Sequence, residues 1–215
     1  MAENKVQYGL KNVYYAPITA ESTAGVPTYG NPVAWPGAVS MSLEAEGDTN
    51  TFRADNTDYY VISANNGYTG ELETARIPDS FRTDILGEIE DGGGMLVEDS
   101  DAAPVPFALM FQFEGDKRET RHVIYKCTAQ RPNVEGETTD TEIEPKTETL
   151  EFTAQSVYSS ALETHVVKSK TTESTDSTVV SAWFTAVQLP TAASSATTCQ
   201  TLRAASYRGG PFFDI

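Results

Sequence analysis

Short segments in which large apolar and smaller or polar residues alternate constrain the fold of this chain most strongly. In residues 107–113 every second side chain is Phe or Leu, and the residues between them face the other way. A period of two indicates a β-strand, because successive side chains point to opposite faces of a sheet. Residues 39–43 and 123–127 repeat the pattern, and 107–113 should form a hairpin with 123–127. We therefore expect a mainly β protein, an antiparallel β-sandwich or flattened barrel.

The segments between these strands give further expectations. Residues 21–37 hold three prolines and three glycines, which predicts an extended loop or arm. Asn65, Asn66 and Gly67 are turn-forming, so residues 57–63 are predicted to pair back on residues 68–77. A second short helix is predicted within residues 179–190, ended by Pro190. Residues 131–148 are strongly acidic and are expected to form a loop or a long hairpin tip.

One segment, residues 76–87, predicts a short helix in this β-rich chain. Asp79 is positioned to cap its first turn, and Gly87 is positioned to end it. Phe81 and Ile85 are four residues apart and share one helical face, so they should pack the helix on the sheet. Such a helix would cover one open side of the core.

The charge balance excludes some classes of protein. There are 31 acidic and 15 basic residues, and the formal net charge is −16. A chain this acidic repels phosphate groups, so specific nucleic-acid binding is not expected. Residues 1–10 show no secretory signal, and no apolar run approaches the ~20 residues that span a membrane. The two cysteines, Cys127 and Cys199, do not suggest a disulfide framework, which favours a reducing compartment.

The sequence offers little for catalysis or for metal binding. His122 and His165 lie in predicted strands without obvious partners. Residues 48–55 resemble a calcium-binding loop only in part, because Phe52 stands where an oxygen ligand is needed. No nucleophile elbow, zinc motif or redox motif is found. We therefore predict no enzyme activity, no cofactor and no metal site.

Four stretches resemble the major tail tube proteins of long-tailed, non-contractile bacteriophages. The resemblance covers most of residues 4–190 and is most specific in residues 65–88. The stretches that carry it are "YGLKNVYYAPIT" (8–19), "PGAVSMSLEAEGDTNTFRADNTDYY" (36–60), "SANNGYTGELETARIPDSFRTDILGE" (63–88) and "AWFTAVQLP" (182–190).

The resemblance implies a tail tube β-sandwich over residues 1–190, with one flanking helix, an N-terminal arm and a long inter-ring loop at 44–58. Residues 191–215 would be an extension or arm. Such subunits form rings, typically of six, which stack into the tube through which genomic DNA passes. The implied partners are copies of the chain, the tape measure protein, the tail terminator and the baseplate or tail-tip proteins. The implied location is the virion, after synthesis in the host cytoplasm.

The resemblance also implies contact residues. Residues of the 44–58 excursion and Tyr59 should touch the next ring, and the N-terminal segment should contact neighbouring subunits. Phe52 has an alternative role as a core residue of a continuing strand. The acidic charge would line the channel and repel DNA, or would only keep the protein soluble. The predicted contact residues are Glu46, Asp48, Phe52, Arg53 and Tyr59 in the excursion, and Tyr8, Leu10 and Tyr14 near the N-terminus.

Two rival classes of protein stay open at this point. The first is another phage structural protein, namely a capsid decoration, tail terminator or baseplate component. The second is a carbohydrate-binding module, because Tyr207, Phe212 and Phe213 could stack on sugars.

Overall fold

The computed structural model describes residues 9–47, 49–54, 56–63, 66–114, 119–134, 136 and 146–192. Almost all of its regular structure is antiparallel β-sheet. The strands are β1 (Leu10–Glu21), β2 (Pro27–Tyr29), β3 (Val33–Trp35), β4 (Ala38–Glu46), β5 (Thr49–Ala54), β6 (Thr57–Ser63), β7 (Gly67–Thr74), β8 (Ile89–Glu90), β9 (Leu96–Val97), β10 (Phe107–Phe113), β11 (Arg121–Ala129), β12 (Glu148–Gln155), β13 (Val157–Ser159), β14 (Thr164–Val166) and β15 (Lys168–Lys170). Two short helices are α1 (Asp79–Phe81), continued by a π-helical turn (Arg82–Leu86), and α2 (Ser177–Ala182).

The main sheet has the strand order β2–β1–β10–β11–β12–β7–β4, with β3 also paired to β1 and β15 also paired to β11. Strands β5 and β6, β8 and β9, and β13 and β14 form separate two-stranded ladders. The mainly β, antiparallel fold with a short flanking helix is confirmed. Within the described ranges no ladder joins β4 back to β2, so the sheet stays open and is not a closed barrel.

Strand β10 is buried on both faces, because it lies between two cores. Phe107, Leu109 and Phe111 point into one core, while Ala108 and Met110 point into the other. The first core comprises Val13, Tyr15, Trp35, Leu72, Ile77, Phe81, Ile85, Leu86, Phe107, Leu109, Phe111, Ile124, Cys127, Ala129, Leu150, Phe152 and Ala154. The second core comprises Ala16, Ala108, Met110, Val123, Tyr125, Val157 and Trp183. The predicted hairpin of β10 with β11 is confirmed.

The α1 segment fills the centre of the first core. The Phe81 ring lies 4.5 Å from the Trp35 ring, 5.1 Å from the Tyr15 ring and 5.2 Å from the Phe107 ring, centroid to centroid. The wider π-helical turn places Ile85, like Phe81, fully inside the same core. The predicted packing of both side chains is confirmed.

The ends of this helical segment differ in part from expectation. Asp79 does not cap it, because Pro78 occupies the N-cap position and the Asp79 carboxylate instead pairs with Arg76 at 3.2 Å. Gly87 does end it, with a left-handed φ of 76°. The carboxylate of Glu148, at the start of β12, accepts a 2.7 Å hydrogen bond from the backbone N–H of Ile77. This bond ties the segment to the sheet.

Helix α2 covers the second core. It is shorter than predicted, because it ends at Ala182 and Trp183 turns inward, well before Pro190. The Asp176 carboxylate caps it by accepting a 2.8 Å hydrogen bond from the backbone N–H of Thr178. The cap starts the helix, and burial of the Trp183 indole fixes its other end on the sheet.

One predicted strand pairing and one predicted loop or arm are wrong. Residues 57–63 do not pair with β7; they pair with β5, and β7 lies between β4 and β12. The turn falls at Asn56, whose φ of 60° suits the position. Residues 21–37, predicted as an extended loop or arm, instead include β2 and β3, which pair with β1, and Trp35 is buried. Of the acidic segment 131–148, residues 135 and 137–145 lie outside the described residues.

A buried hydrogen bond holds β3 against β7. The Trp35 indole N–H donates to the Thr74 hydroxyl at 3.1 Å, and both side chains are buried. We expect Thr74→Val to lower the free energy of unfolding by about 1–3 kcal/mol, since the indole N–H loses its buried acceptor. Urea unfolding measures the change. Thr149→Val, at an exposed position of β12, is the control; an equal small effect of both substitutions would contradict this role of the bond.

Candidate functional site: an acidic sheet face beside an open edge

Strands β4, β7 and β12 form a three-stranded surface with two unlike sides. In the ladders Met41 lies opposite Leu72, which lies opposite Leu150, and these three side chains face the first core. One residue further along, Glu71 lies opposite Glu151, and both carboxylates are exposed. The alternation of the three strands therefore places apolar side chains on one side and carboxylates on the other.

We define the acidic face as the outward carboxylates of this surface. No Lys or Arg occurs in β4, β7 or β12, so no cation of these strands neutralises them. Like charges on neighbouring strands repel one another, and a face with so many of them costs some stability of the isolated subunit. The acidic face comprises Glu44, Glu46, Glu71, Glu73 and Glu151.

Hydroxyl groups lie between the carboxylates of the acidic face and donate hydrogen bonds to two of them. The Glu73 carboxylate accepts hydrogen bonds from Thr147 at 2.7 Å and from Ser40 at 2.8 Å. These bonds stabilise the ionised form and hold the pKa of Glu73 below its usual value. The Thr69 hydroxyl donates to the Glu46 carboxylate in the same way. The two hydroxyl groups therefore stabilise the negative charge of Glu73 on this face.

The acidic face ends at a strand edge. Strand β4 pairs with β7 along one side, and in the described part of the chain no strand pairs along its other side. Val39, at an irregularity of this strand, is 52% exposed. At the opposite end of the strand order, β2 is the second edge. Open edges of this kind are templates for pairing with another chain.

The β5–β6 hairpin continues β4 and β7 beyond the main sheet. The segment 44–58, expected as a long loop, is mostly strand where the structure describes it, because residues 44–46, 49–54 and 57–58 belong to β4, β5 and β6. Arg53 is exposed and lies in register with Asp58, while Phe52 lies in register with Tyr60. The backbone thus brings Phe52, Arg53 and Tyr59 together on one hairpin.

The remaining predicted contact residues divide between the hairpin base and β1. Glu46 lies at the base of the hairpin, where its carbonyl accepts from the Asn66 N–H at 2.8 Å. Leu10 is half-buried against the first core, and the Tyr14 ring stacks on Phe184 of the same subunit at 4.9 Å. Leu10 and Tyr14 are therefore both partly engaged in contacts within their own subunit. Tyr8 and Asp48 lie outside the described residues. Phe52 and Tyr59 are described only in their backbone.

The described residues show no arrangement typical of an active site. His122 stacks on Phe111 at 5.0 Å, and His165 lies 5.5 Å from the Tyr158 ring. Burial raises the pKa of the Cys127 thiol well above its usual value, which makes it unreactive. Within the described ranges no group of three His, Cys, Asp or Glu side chains could hold a metal ion. Nor does any helix there have the length and apolar character needed to cross a membrane.

Sequence reasoning missed three members of the acidic face: Glu71, Glu73 and Glu151. Their signal was present, because in β7 and β12 acidic or hydroxyl residues alternate with Leu72, Leu150 and other buried residues. The alternation within each strand does not reveal the register that places the three strands side by side.

The fold and this surface define an antiparallel β protein with two cores, an open edge and charge on one side of a sheet. A family model described as phage tail tube protein matches residues 2–201, and the chain belongs to that family. It is therefore a structural protein of the phage tail, located in the virion, that assembles with other tail components. The family points away from an enzyme.

Two further comparisons add little. A search of curated proteins finds no significant match. Among solved structures, the chain is similar to a chain of the cryo-EM structure of the anti-feeding prophage baseplate, six-fold symmetrised. The identity is 10% and the TM-score is 0.41, over 80% of this chain and 97% of that one.

Proposed function

We propose that copies of this chain close into rings of six, and that the rings stack into the tail tube through which the genome is delivered. The acidic face is the observation that carries this proposal. It forms one side of a sheet whose other side is core, and it ends at β4, whose outer edge pairs with no strand in the described part of the chain. A surface of one sign of charge, continued across an edge by the next subunit, gives a channel wall of uniform charge.

The two edges of the sheet support ring closure. Strand β4 stands at one end of the strand order and β2 at the other, so one subunit offers two different edges. When unlike surfaces meet around a closed rotation, every subunit satisfies the edge of the next and no edge is left open. The sheet of each subunit then continues into that of its neighbour.

The acidic face is assigned to the channel wall. Phosphate groups of passing DNA would meet Glu44, Glu71 and Glu151 and would be repelled, so DNA slides without binding. Specific DNA contacts form no part of this proposal.

Ring stacking is assigned to the β5–β6 hairpin. Its strands follow β4 and precede β7, they include Phe52, Arg53 and Tyr59, and Glu46 lies at its base. We assign Asp48, which lies outside the described residues, to the same contact. Aromatic and arginine side chains are the residue types that most often anchor interfaces. The N-terminal segment with Tyr8, Leu10 and Tyr14 would add contacts between subunits.

The tube needs components at both ends and along its length. We assign the tape measure protein, the tail terminator and the baseplate or tail-tip proteins as partners. A role as capsid decoration, terminator or baseplate component is the alternative within phage structure. Repeated stacking distinguishes the tube subunit from these alternatives, because only a tube subunit forms stacks of many identical rings.

The test of assembly is negative-stain electron microscopy of the purified protein at low and high concentration, with the mass from light scattering. We expect rings with a central hole, or tubes, and a ring mass six times that of the 23.3 kDa chain. A chain that stays monomeric even with a tail initiator complex present would contradict the proposal and favour the alternative.

Charge reversal on the acidic face tests its role in delivery. In Glu71→Lys each ring gains a circle of cations, and because position 71 is exposed and the change removes the repulsion from Glu151 opposite, folding should survive. We expect tails of normal length and a fall of about tenfold or more in plaques per particle, because phosphates bind the cations. Glu90→Lys, an exposed change in β8, is the control. Equal plaque counts for both variants would mean that the charge serves solubility alone.

A further inference from the structure

A groove opens at the edge of the first core, between β4 on one side and β10, β11 and β15 on the other. Its volume is about 470 Å³, and its wall is largely aromatic and aliphatic. Phe111 and Phe113 lie edge to face, with ring centroids 5.7 Å apart, and His122 packs on both. The residues that line it are Met41, Leu43, Phe111, Phe113, His122, Val123, Ile124, Lys168, Ser169 and Lys170.

The groove combines exposed apolar surface with a basic rim. Met41, Leu43 and Phe113 are only half-buried, so part of the core stays open to solvent here. Lys168 and Lys170 stand exposed along β15, two cations close together in a chain with a net charge of −16. An occupant with large apolar side chains and a carboxylate would satisfy both features.

We propose that this groove binds residues 211–215, Pro-Phe-Phe-Asp-Ile, of a second copy of the chain. The inference rests on the proposed function in one respect, since the second copy is the ring neighbour. The segment belongs to residues 202–215, which lie beyond the family match, so it is a feature of this chain beyond the common tail tube domain.

The chemistry of the segment fits the groove. Phe212 and Phe213 offer rings to the aromatic wall, where edge-to-face contacts add to apolar burial. Asp214 follows directly and is the only charged residue of the five, matching the two lysines of the rim.

The path of the chain favours a second copy over the same one. Trp183 packs in the second core, and the Gln188 carbonyl accepts from the Tyr125 hydroxyl at 3.1 Å. The chain therefore approaches its last described residue, Ala192, from the face of β10–β11 opposite the groove. Phe212 lies 20 residues beyond Ala192, and at ~3.3 Å per residue a chain of that length reaches at most about 65 Å, which is enough to reach a ring neighbour. The groove also borders β4, the edge that a ring neighbour would join.

Peptide binding tests the groove without requiring a tube. A fluorescein-labelled peptide of residues 206–215 is titrated with the full chain carrying Phe212→Ser and Phe213→Ser, so that the native segment does not compete. Fluorescence anisotropy should show saturable binding. Adding Lys170→Glu should weaken the affinity at least fivefold, whereas Lys11→Glu, which lies across from Gln112 in the β1–β10 ladder, should leave it unchanged. Absence of binding, or equal affinity in all three proteins, would overturn the proposal.

Cross-linking in assembled tubes tests which copy supplies the segment. Phe213 is replaced by p-benzoylphenylalanine in chains mixed from ¹⁴N and ¹⁵N cultures, with the same replacement at Leu202 as control. We expect cross-links between copies from position 213 to the peptide that contains Met41. Links confined to one copy would overturn the assignment to a neighbour. Tubes that form while the peptide does not bind would refute the groove alone, and peptide binding by a chain that never assembles would refute the proposed function alone.

Discussion

Phe81→Ala is expected to lower the free energy of unfolding by about 3–5 kcal/mol, among the largest effects of any single substitution in this chain. The side chain is fully buried and contacts the rings of Tyr15, Trp35 and Phe107. Its removal leaves a cavity bounded by stiff aromatic rings from three strands, which cannot collapse to fill the space. The α1 segment would also lose its main attachment to the sheet.

Chemical unfolding followed by tryptophan fluorescence measures this change. Met95→Ala is the matched control, because it also truncates a large apolar side chain but one that is 63% exposed. The control should change the free energy of unfolding by less than about 0.5 kcal/mol. A Phe81→Ala variant as stable as the control would show that the aromatic cluster does not organise the first core.

Gly67→Ala is expected to cost about 2–5 kcal/mol of stability, for a backbone reason. Gly67 has a φ of +104°, where an L side chain is strained by ~1–2 kcal/mol. A Cβ atom there would also stand 2.2 Å from the carbonyl oxygen of Ala154, and overpacking of this kind adds ~1–3 kcal/mol. Because the obstacle is the backbone of β12, no side-chain rotation relieves it.

The effect should also reach the acidic face, since Gly67 lies where β7 begins between β4 and β12. Gly92→Ala is the control, because no atom lies within 4 Å of the added methyl group. We expect it to be close to neutral, with the two variants compared by thermal unfolding. Equal melting temperatures would contradict the close approach of β7 and β12 at this point.

The sequence predicted best those elements whose own pattern determines their environment. Strand β10 alternates strictly and the α1 segment carries Phe81 and Ile85 at helical spacing, and both pack as expected. In each case the signal is local, so no knowledge of the partner is needed.

Pairing partners were harder to predict, because alternation identifies a strand without naming its neighbour. The turn residues near Gly67 suggested a hairpin of β6 with β7, yet the close approach of Ala154 is what requires glycine there. Residues 21–37 looked like an arm because they are rich in Pro and Gly. In the structure Trp35 instead packs on the rings of Tyr15 and Phe81 and holds the segment against the first core. These contacts join distant parts of the chain, so the local sequence does not reveal them.

The acidic face illustrates the same limit. Its carboxylates are plain in the sequence, but β4, β7 and β12 are brought together from residues 38–46, 67–74 and 148–155. Only the register of the ladders shows that Glu71 and Glu151 share a side with Glu44. The number of acidic residues alone is therefore compatible with two roles, keeping the protein soluble and lining a channel, and does not distinguish between them.

A helical cryo-EM reconstruction of the assembled tail tests the central claim most directly, because it shows which side of the β4–β7–β12 surface meets the channel. The account predicts six copies in each ring, with Glu44, Glu71 and Glu151 on the channel wall and the β5–β6 hairpin reaching the next ring. A tube in which the acidic face lies on the outer surface, or is buried between subunits, would contradict it.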